Sequence, residues 1–113
     1  VTGNSGTILT SSDGTSWTSR TSGTSNNLRK IIFENELFLV IGYSGTILTS
    51  SDGTTWNSRT SGTSEFLRGF TYANSTFVIS GDSGTILTSS DGTTWTERTS
   101  GTSNNLWRVN YAN

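Results

Sequence analysis

The chain has 113 residues, of which 29% are hydrophobic and 13% are charged, and its formal net charge is −1. It contains no Cys and no His, which excludes disulfides and removes the commonest metal ligand and general base. The weak net charge argues against nucleic-acid binding, and no apolar run approaches the roughly 20 residues that span a bilayer. We therefore expect a soluble protein without a metal, a cofactor or a membrane partner. The sequence leaves its compartment open, with a secreted or bacterial cell-surface location among the alternatives.

A repeat of 39 residues runs through the chain. Residues 5–14, with the sequence SGTILTSSDG, return at residues 44–53 and again at residues 83–92. The copies divide the chain into residues 1–35, 36–74 and 75–113, and the first copy is four residues shorter than the others. A fixed period of this length is typical of stacked units that bury apolar surface against one another.

Each copy predicts four short β-strands and no helix. In the 39-residue unit that begins at residue 67, β-branched and aromatic residues predict strands at 67–72, 76–80, 85–89 and 94–98. The segments between them, 73–75, 81–84 and 90–93, are rich in Gly, Asn, Asp and Ser and predict turns. Apolar residues do not recur at the helical spacing. Four strands in about 40 residues is the size of one β-propeller blade.

The turn before each predicted fourth strand carries the sequence SSDGTTW at residues 50–56 and 89–95, and residues 11–17 differ only at Ser16. An Asp two residues after a Ser can accept hydrogen bonds from the turn, Gly permits a positive φ, and Trp can cover the turn. The motif resembles the Asp box, and the whole repeat is similar to BNR-type and photosystem II assembly-factor-like β-propeller repeats. This resemblance implies an all-β fold of about three blades per chain. It also implies a structural role for nine residues, namely Asp13, Gly14, Trp17, Asp52, Gly53, Trp56, Asp91, Gly92 and Trp95.

Three blades are too few for a ring, because closed propellers have at least about four. In the alignment of the copies, residue 1 falls inside a second strand, and residue 113 falls just after a first strand. We expect residues 105–111 of one chain to complete the blade that residues 1–10 of another chain begin. A homodimer would then have six blades, which we favour, and a homotrimer nine. The alternative is that the sequence, which lacks an initial Met, is a fragment of a longer array.

No residue set predicts catalysis. Sialidases also carry Asp boxes, but their chemistry needs an arginine triad, a Tyr nucleophile and a carboxylic acid. The four glutamates do not recur at a shared repeat position, and they are Glu34, Glu36, Glu65 and Glu97. A glycoside hydrolase is therefore the least favoured class, and a non-enzymatic scaffold with lectin-like, multivalent recognition of glycans or protein is the leading one.

The copies differ most in the first two strands and their loops, where we expect any ligand site. Arginine there could bind carboxylates or sulfated glycans, and an aromatic ring could stack on a sugar. The candidate ligand-binding residues are Arg29, Arg68, Trp107, Arg108, Tyr43 and Asp82. One alternative is that the arginine stems and Trp107 only pack between blades. Another is an amplified or engineered array with no evolved ligand.

Overall fold

The strands form three antiparallel sheets, which confirms an all-β chain. A computed structural model of the protein describes residues 1–112. The first sheet has two strands, β1 (Ile8–Thr10) and β2 (Thr18–Arg20). The N-terminal residue Val1 extends this sheet, because its ammonium group and its carbonyl bond the backbone of Leu9 at 2.7 and 2.9 Å.

The second and third sheets have four strands each, and neighbours in sequence are neighbours in space. The second sheet contains β3 (Leu28–Glu34), β4 (Leu37–Gly42), β5 (Ile47–Ser50) and β6 (Asn57–Arg59). The third sheet contains β7 (Leu67–Ala73), β8 (Thr76–Gly81), β9 (Ile86–Ser89) and β10 (Thr96–Arg98). Each of these two sheets is therefore an up-and-down meander that takes its first strand from one copy of the repeat and its other three strands from the next copy.

The four strands predicted from residue 67 onward are present, with small shifts at their ends. The fourth strand begins at Thr96 instead of residue 94, because the Thr94 backbone N–H is bonded to the Asp91 carboxylate in the preceding turn. The reversal predicted before the third strand contains a 3-10 turn, Asp82–Gly84. The predicted borders between copies fall at the tight turns after β3 and β7, where residues 35, 36, 74 and 75 all have positive φ. Residue 113, the end of the last predicted copy, lies outside the described residues.

Neighbouring sheets pack face to face through two apolar clusters. Between the first and second sheets the buried residues are Ile8, Leu28, Val40 and Leu48. Between the second and third sheets they are Leu39, Ile41, Ile47, Leu67, Phe70, Phe77, Ile79 and Leu87. Strand β4 supplies residues to both clusters, so the second sheet is buried on both faces and holds the other two in place.

Candidate ligand-binding site

The first strands of the second and third sheets, β3 and β7, each contain a β-bulge near their beginning. The register against the following strand shifts at Arg29 in β3 and at Arg68 in β7. A bulge changes the direction in which a side chain points and often lies beside a functional site. Residues 106–112, which we call the terminal segment, repeat the sequence positions of these strands and carry Trp107 at the corresponding place.

Arg68 is held on several sides and is not free to bind a ligand by itself. Its Nε donates to Asp82 Oδ1, and its Nη2 donates to Asp82 Oδ2 at 2.9 Å. Its guanidinium carbon lies 4.1 Å from the ring centroid of Phe66 and 4.2 Å from that of Trp107. The hydrogen bonds to Asp82 raise the pKa of Arg68 above its ordinary value. The candidate residues Arg68 and Asp82 thus form a neutral pair that supports Trp107.

Tyr43 lies in the same group, but one face of its ring is covered. Its centroid is 3.8 Å from that of Phe66, and the rings are stacked with an angle of 27°. Phe66 was not predicted from the sequence. It replaces the asparagines of the other two copies, Asn27 and Asn105, whose Oδ1 atoms accept the backbone N–H groups of Ser5 and Ser83. This substitution is the signal that could have identified Phe66 as part of the site.

The bulged residues and the terminal segment enclose a cavity of about 420 Å³, which we call the cationic cavity. Four positively charged side chains line it, namely Arg29, Lys30, Arg68 and Arg108. The remaining lining residues are Gly69, Phe70, Trp107, Val109 and Asn110. Four of the six candidate ligand-binding residues line this cavity, namely Arg29, Arg68, Trp107 and Arg108. Asp82 pairs with Arg68 in its wall, whereas Tyr43 lies behind Phe66. Lys30, which occupies the same repeat position as Arg108, was not among the candidates.

Gly69 allows the terminal segment to approach β7. A Cβ atom at this position would lie 2.9 Å from the Cα of Arg108 and 2.5 Å from the Oγ of Ser80. Real Cβ contacts are essentially never that short, so a side chain at residue 69 would displace the wall of the cavity. Ser80 is 3% exposed, and its hydroxyl has no hydrogen-bond partner within residues 1–112. A buried polar group therefore lies directly beneath the floor of the cavity.

The three aspartates of the repeated turns have identical surroundings. In the second sheet, Asp52 Oδ1 accepts the backbone N–H groups of Thr54 and Thr55 at 2.8 and 2.9 Å and the hydroxyl of Ser50 at 2.9 Å. Asp13 and Asp91 make the corresponding bonds. The backbone donors lower the pKa of all three carboxyl groups. These carboxylates hold the turns closed and lie outside the cationic cavity.

In the second and third sheets, a hydrogen bond between the glycine and the tryptophan completes the turn. Gly53 has a φ of 75° and its carbonyl accepts the indole N–H of Trp56 at 3.1 Å. Gly92 and Trp95 repeat the bond at 3.0 Å. In the first sheet, by contrast, Trp17 is 48% exposed.

Within residues 1–112 no group of three or more His, Cys, Asp or Glu side chains could hold a metal ion. No helix in the same part of the chain has the length and apolar character needed to cross a membrane. No protein-family model, curated protein or solved structure matches the chain. Its function must therefore be inferred from its own residues.

Proposed function

We propose that the chain is a non-enzymatic β-propeller scaffold that assembles with copies of itself. Each four-stranded sheet would be one blade, and the two-stranded first sheet and the terminal segment would be parts of a shared blade. Two chains would form a six-bladed ring, or three chains a nine-bladed one. The aspartate turns, which match the Asp-box pattern, support the blade assignment.

The observation that carries this proposal is the pair of uncovered sheet faces at the two ends of the chain. On the first sheet Val1 is 57% exposed, whereas the corresponding residue of the second sheet, Val40, is 0% exposed. On the third sheet Ile86 is only partly buried, whereas the corresponding residue Ile47 is 0% exposed. Within the chain, the second sheet covers both kinds of face. The first and third sheets therefore each expose one of the two kinds of sheet face that pack against each other inside the chain.

The terminal segment supports the same conclusion. The Leu106 N–H donates to the Gly81 carbonyl at 2.9 Å, and Leu28 makes the corresponding bond to Gly3 at 2.9 Å. This bond supports the proposal that the segment acts as the first strand of a further sheet; within residues 1–112 it has no second strand beside it. By the register of β3 with β4, residues 106–109 would pair with residues 1–3 of another copy. Such a contact joins different surfaces of the two chains and can close into a ring.

Native mass spectrometry of the 113-residue chain tests this proposal. We expect a mass of two or three chains at micromolar concentration. A folded monomer would overturn the proposal, and so would a continuous series of larger polymers, which would indicate contacts that do not close.

A pair of variants tests the predicted contact surface. Ile86 on the third sheet corresponds in sequence to Ile47, which packs in the cluster between the second and third sheets. Ile86→Asp should shift the mass toward the monomer, while circular dichroism should still report β structure. The change Thr96→Asp adds the same charge in β10, where Thr96 and its counterpart Asn57 in the second sheet are both exposed, and should leave the mass unchanged. Equal effects of both variants would contradict the proposed contact.

A further inference from the structure

We propose that the cationic cavity binds a sulfated polysaccharide, with the sulfate groups held by Arg29, Lys30 and Arg108. This inference rests on the proposed function, because it names the class of ligand that the proposed scaffold binds. The cavity itself, however, lies within one chain, so that it can be tested separately from assembly.

The distribution of charge is the first argument. The chain has seven Lys and Arg residues and eight Asp and Glu residues, yet four of the seven cations line this one cavity. The other three are Arg20, Arg59 and Arg98, whose Nε atoms bond Thr hydroxyls in the outer strands of the three sheets. A weakly acidic chain thus concentrates its positive charge on the first strands of successive sheets.

The second argument concerns which of these cations are paired with a carboxylate. Arg68 is neutralised by Asp82, the one ion pair found within residues 1–112. Arg29, Lys30 and Arg108 have no carboxylate within ion-pair distance in that part of the chain, and all three are exposed. The cavity therefore carries an excess of three positive charges. Repulsion among these groups is relieved when an anion with several charges binds.

The shape and wall of the cavity favour a glycan over a nucleic acid. A volume of about 420 Å³ is within the usual range for small-ligand pockets and is too small for a duplex. Trp107 is 63% exposed, and the Arg68 guanidinium lies over one face of its ring, so the opposite face is the one that can contact a ligand at the cavity edge. An aromatic ring beside guanidinium groups suits a sugar that carries sulfate, because the ring contacts the apolar sugar face while the arginines donate hydrogen bonds to sulfate oxygens.

Calorimetric titration with dextran sulfate tests the proposal, with uncharged dextran of equal length and a single-stranded oligonucleotide as the comparison ligands. We expect dextran sulfate to bind more tightly than the oligonucleotide and uncharged dextran not to bind. Arg108→Gln and Arg29→Gln should each weaken binding about three- to tenfold, since exposed charged pairs contribute modestly. The matched control Arg98→Gln removes the same charge outside the cavity and should leave the affinity within about twofold.

Equal losses in Arg98→Gln and Arg108→Gln would overturn the proposal, because binding would then follow total charge. Tighter binding of the oligonucleotide, or no binding of dextran sulfate, would overturn it as well. Native mass spectra of the same variants without ligand separate the two proposals. An unchanged mass with weakened dextran sulfate binding assigns the loss to the cavity, and a changed mass assigns it to assembly.

Discussion

The ring centroids of Phe77 and Trp95 lie 6.3 Å apart, and the ring planes are inclined by 56°. Phe38 and Trp56 repeat this arrangement in the second sheet at 6.2 Å and 59°. In each pair the phenylalanine belongs to the second strand of a sheet and the tryptophan closes the aspartate turn. The contact thus ties the outer turn to the apolar core. In the first sheet Trp17 is 48% exposed, and it makes no such ring contact within residues 1–112.

Replacement of Phe77 should therefore be costly. Its ring is 0% exposed and also contacts Tyr72 and Phe70, at 4.5 and 5.9 Å between centroids. We expect Phe77→Ala to lower the free energy of unfolding in urea by about 3–5 kcal/mol, the range for buried aromatic side chains. Phe33→Ala is the matched control, because Phe33 is 54% exposed. Phe33→Ala should lower the free energy of unfolding by no more than about 1 kcal/mol. Equal decreases in the two variants would contradict the assigned core.

Two glycines with the same backbone conformation should respond differently to substitution by alanine. Gly45 and Gly62 have φ values of 65° and 79°. A Cβ on Gly45 would lie within van der Waals overlap of the Thr63 carbonyl oxygen, whereas nothing lies within 4 Å of a Cβ on Gly62. Gly62→Ala should destabilise the chain only by the strain of a positive φ, about 1–2 kcal/mol.

Gly45→Ala should lower the free energy of unfolding clearly more than Gly62→Ala does, because a backbone oxygen must also move. Urea unfolding of the two variants in parallel measures the difference. Similar losses would show that the loop of residues 61–63 shifts away at little cost and that Gly45 is needed only for its dihedral angles.

Much of the fold could be predicted from the sequence, because the repeat makes each local signal appear three times. Residue types and spacing predict the strands, the turns at residues 35–36 and 74–75, and the position of Asp52 among the N–H groups of its turn. The predicted ring closure remains a proposal. The binding residues were harder to predict, because their environment depends on contacts between copies. In the alignment of the copies, Arg29 and Arg68 occupy the same repeat position. Only the structure shows that Arg68 is neutralised by Asp82 and lies between aromatic rings, whereas Arg29 has no carboxylate partner within residues 1–112.

The bulges were not predicted either. In β3 nothing in the local sequence signals a change of register, because Leu-Arg-Lys is compatible with a regular strand. In β7 the glycine inside the strand, Gly69, is a signal of a bulge that the prediction did not use. Residue 69 must be a glycine because the backbone of Arg108, which lies 39 residues further along the chain, packs against it.

The aspartate turns should make stability depend on pH in acid. The pKa values of Asp13, Asp52 and Asp91 are lowered from 3.8 by the backbone N–H groups that bond them. A carboxyl group with a lower pKa in the folded chain stabilises it fully above the unfolded value. This stabilisation is lost as the pH falls through the folded value. We expect the free energy of unfolding to decrease as the pH is lowered below about 4.

Urea titrations between pH 7 and pH 2.5 measure this dependence. The variant with all three aspartates changed to asparagine keeps an acceptor oxygen but cannot titrate. It should be less stable than the original chain at pH 7 and should lose less stability in acid. The same acid-induced loss in both proteins would assign the pH dependence to other carboxyl groups.

The exposure of Trp17 gives an optical measurement of assembly that does not depend on mass. The chain has four tryptophans, and a variant with Trp56, Trp95 and Trp107 changed to phenylalanine reports on Trp17 alone. If another chain supplies the missing part of the first sheet, the apolar surroundings of Trp17 should increase with association. Its emission should then shift to shorter wavelength as the protein concentration rises.

A variant that keeps only Trp56 is the control, because that residue already packs between sheets of its own chain and should emit at a constant wavelength. The thermal midpoint of both variants should rise with concentration, since association stabilises only the folded chain. A Trp17 emission maximum that stays constant from nanomolar to high micromolar concentration, in a chain with β structure, would contradict burial of the first sheet by another copy.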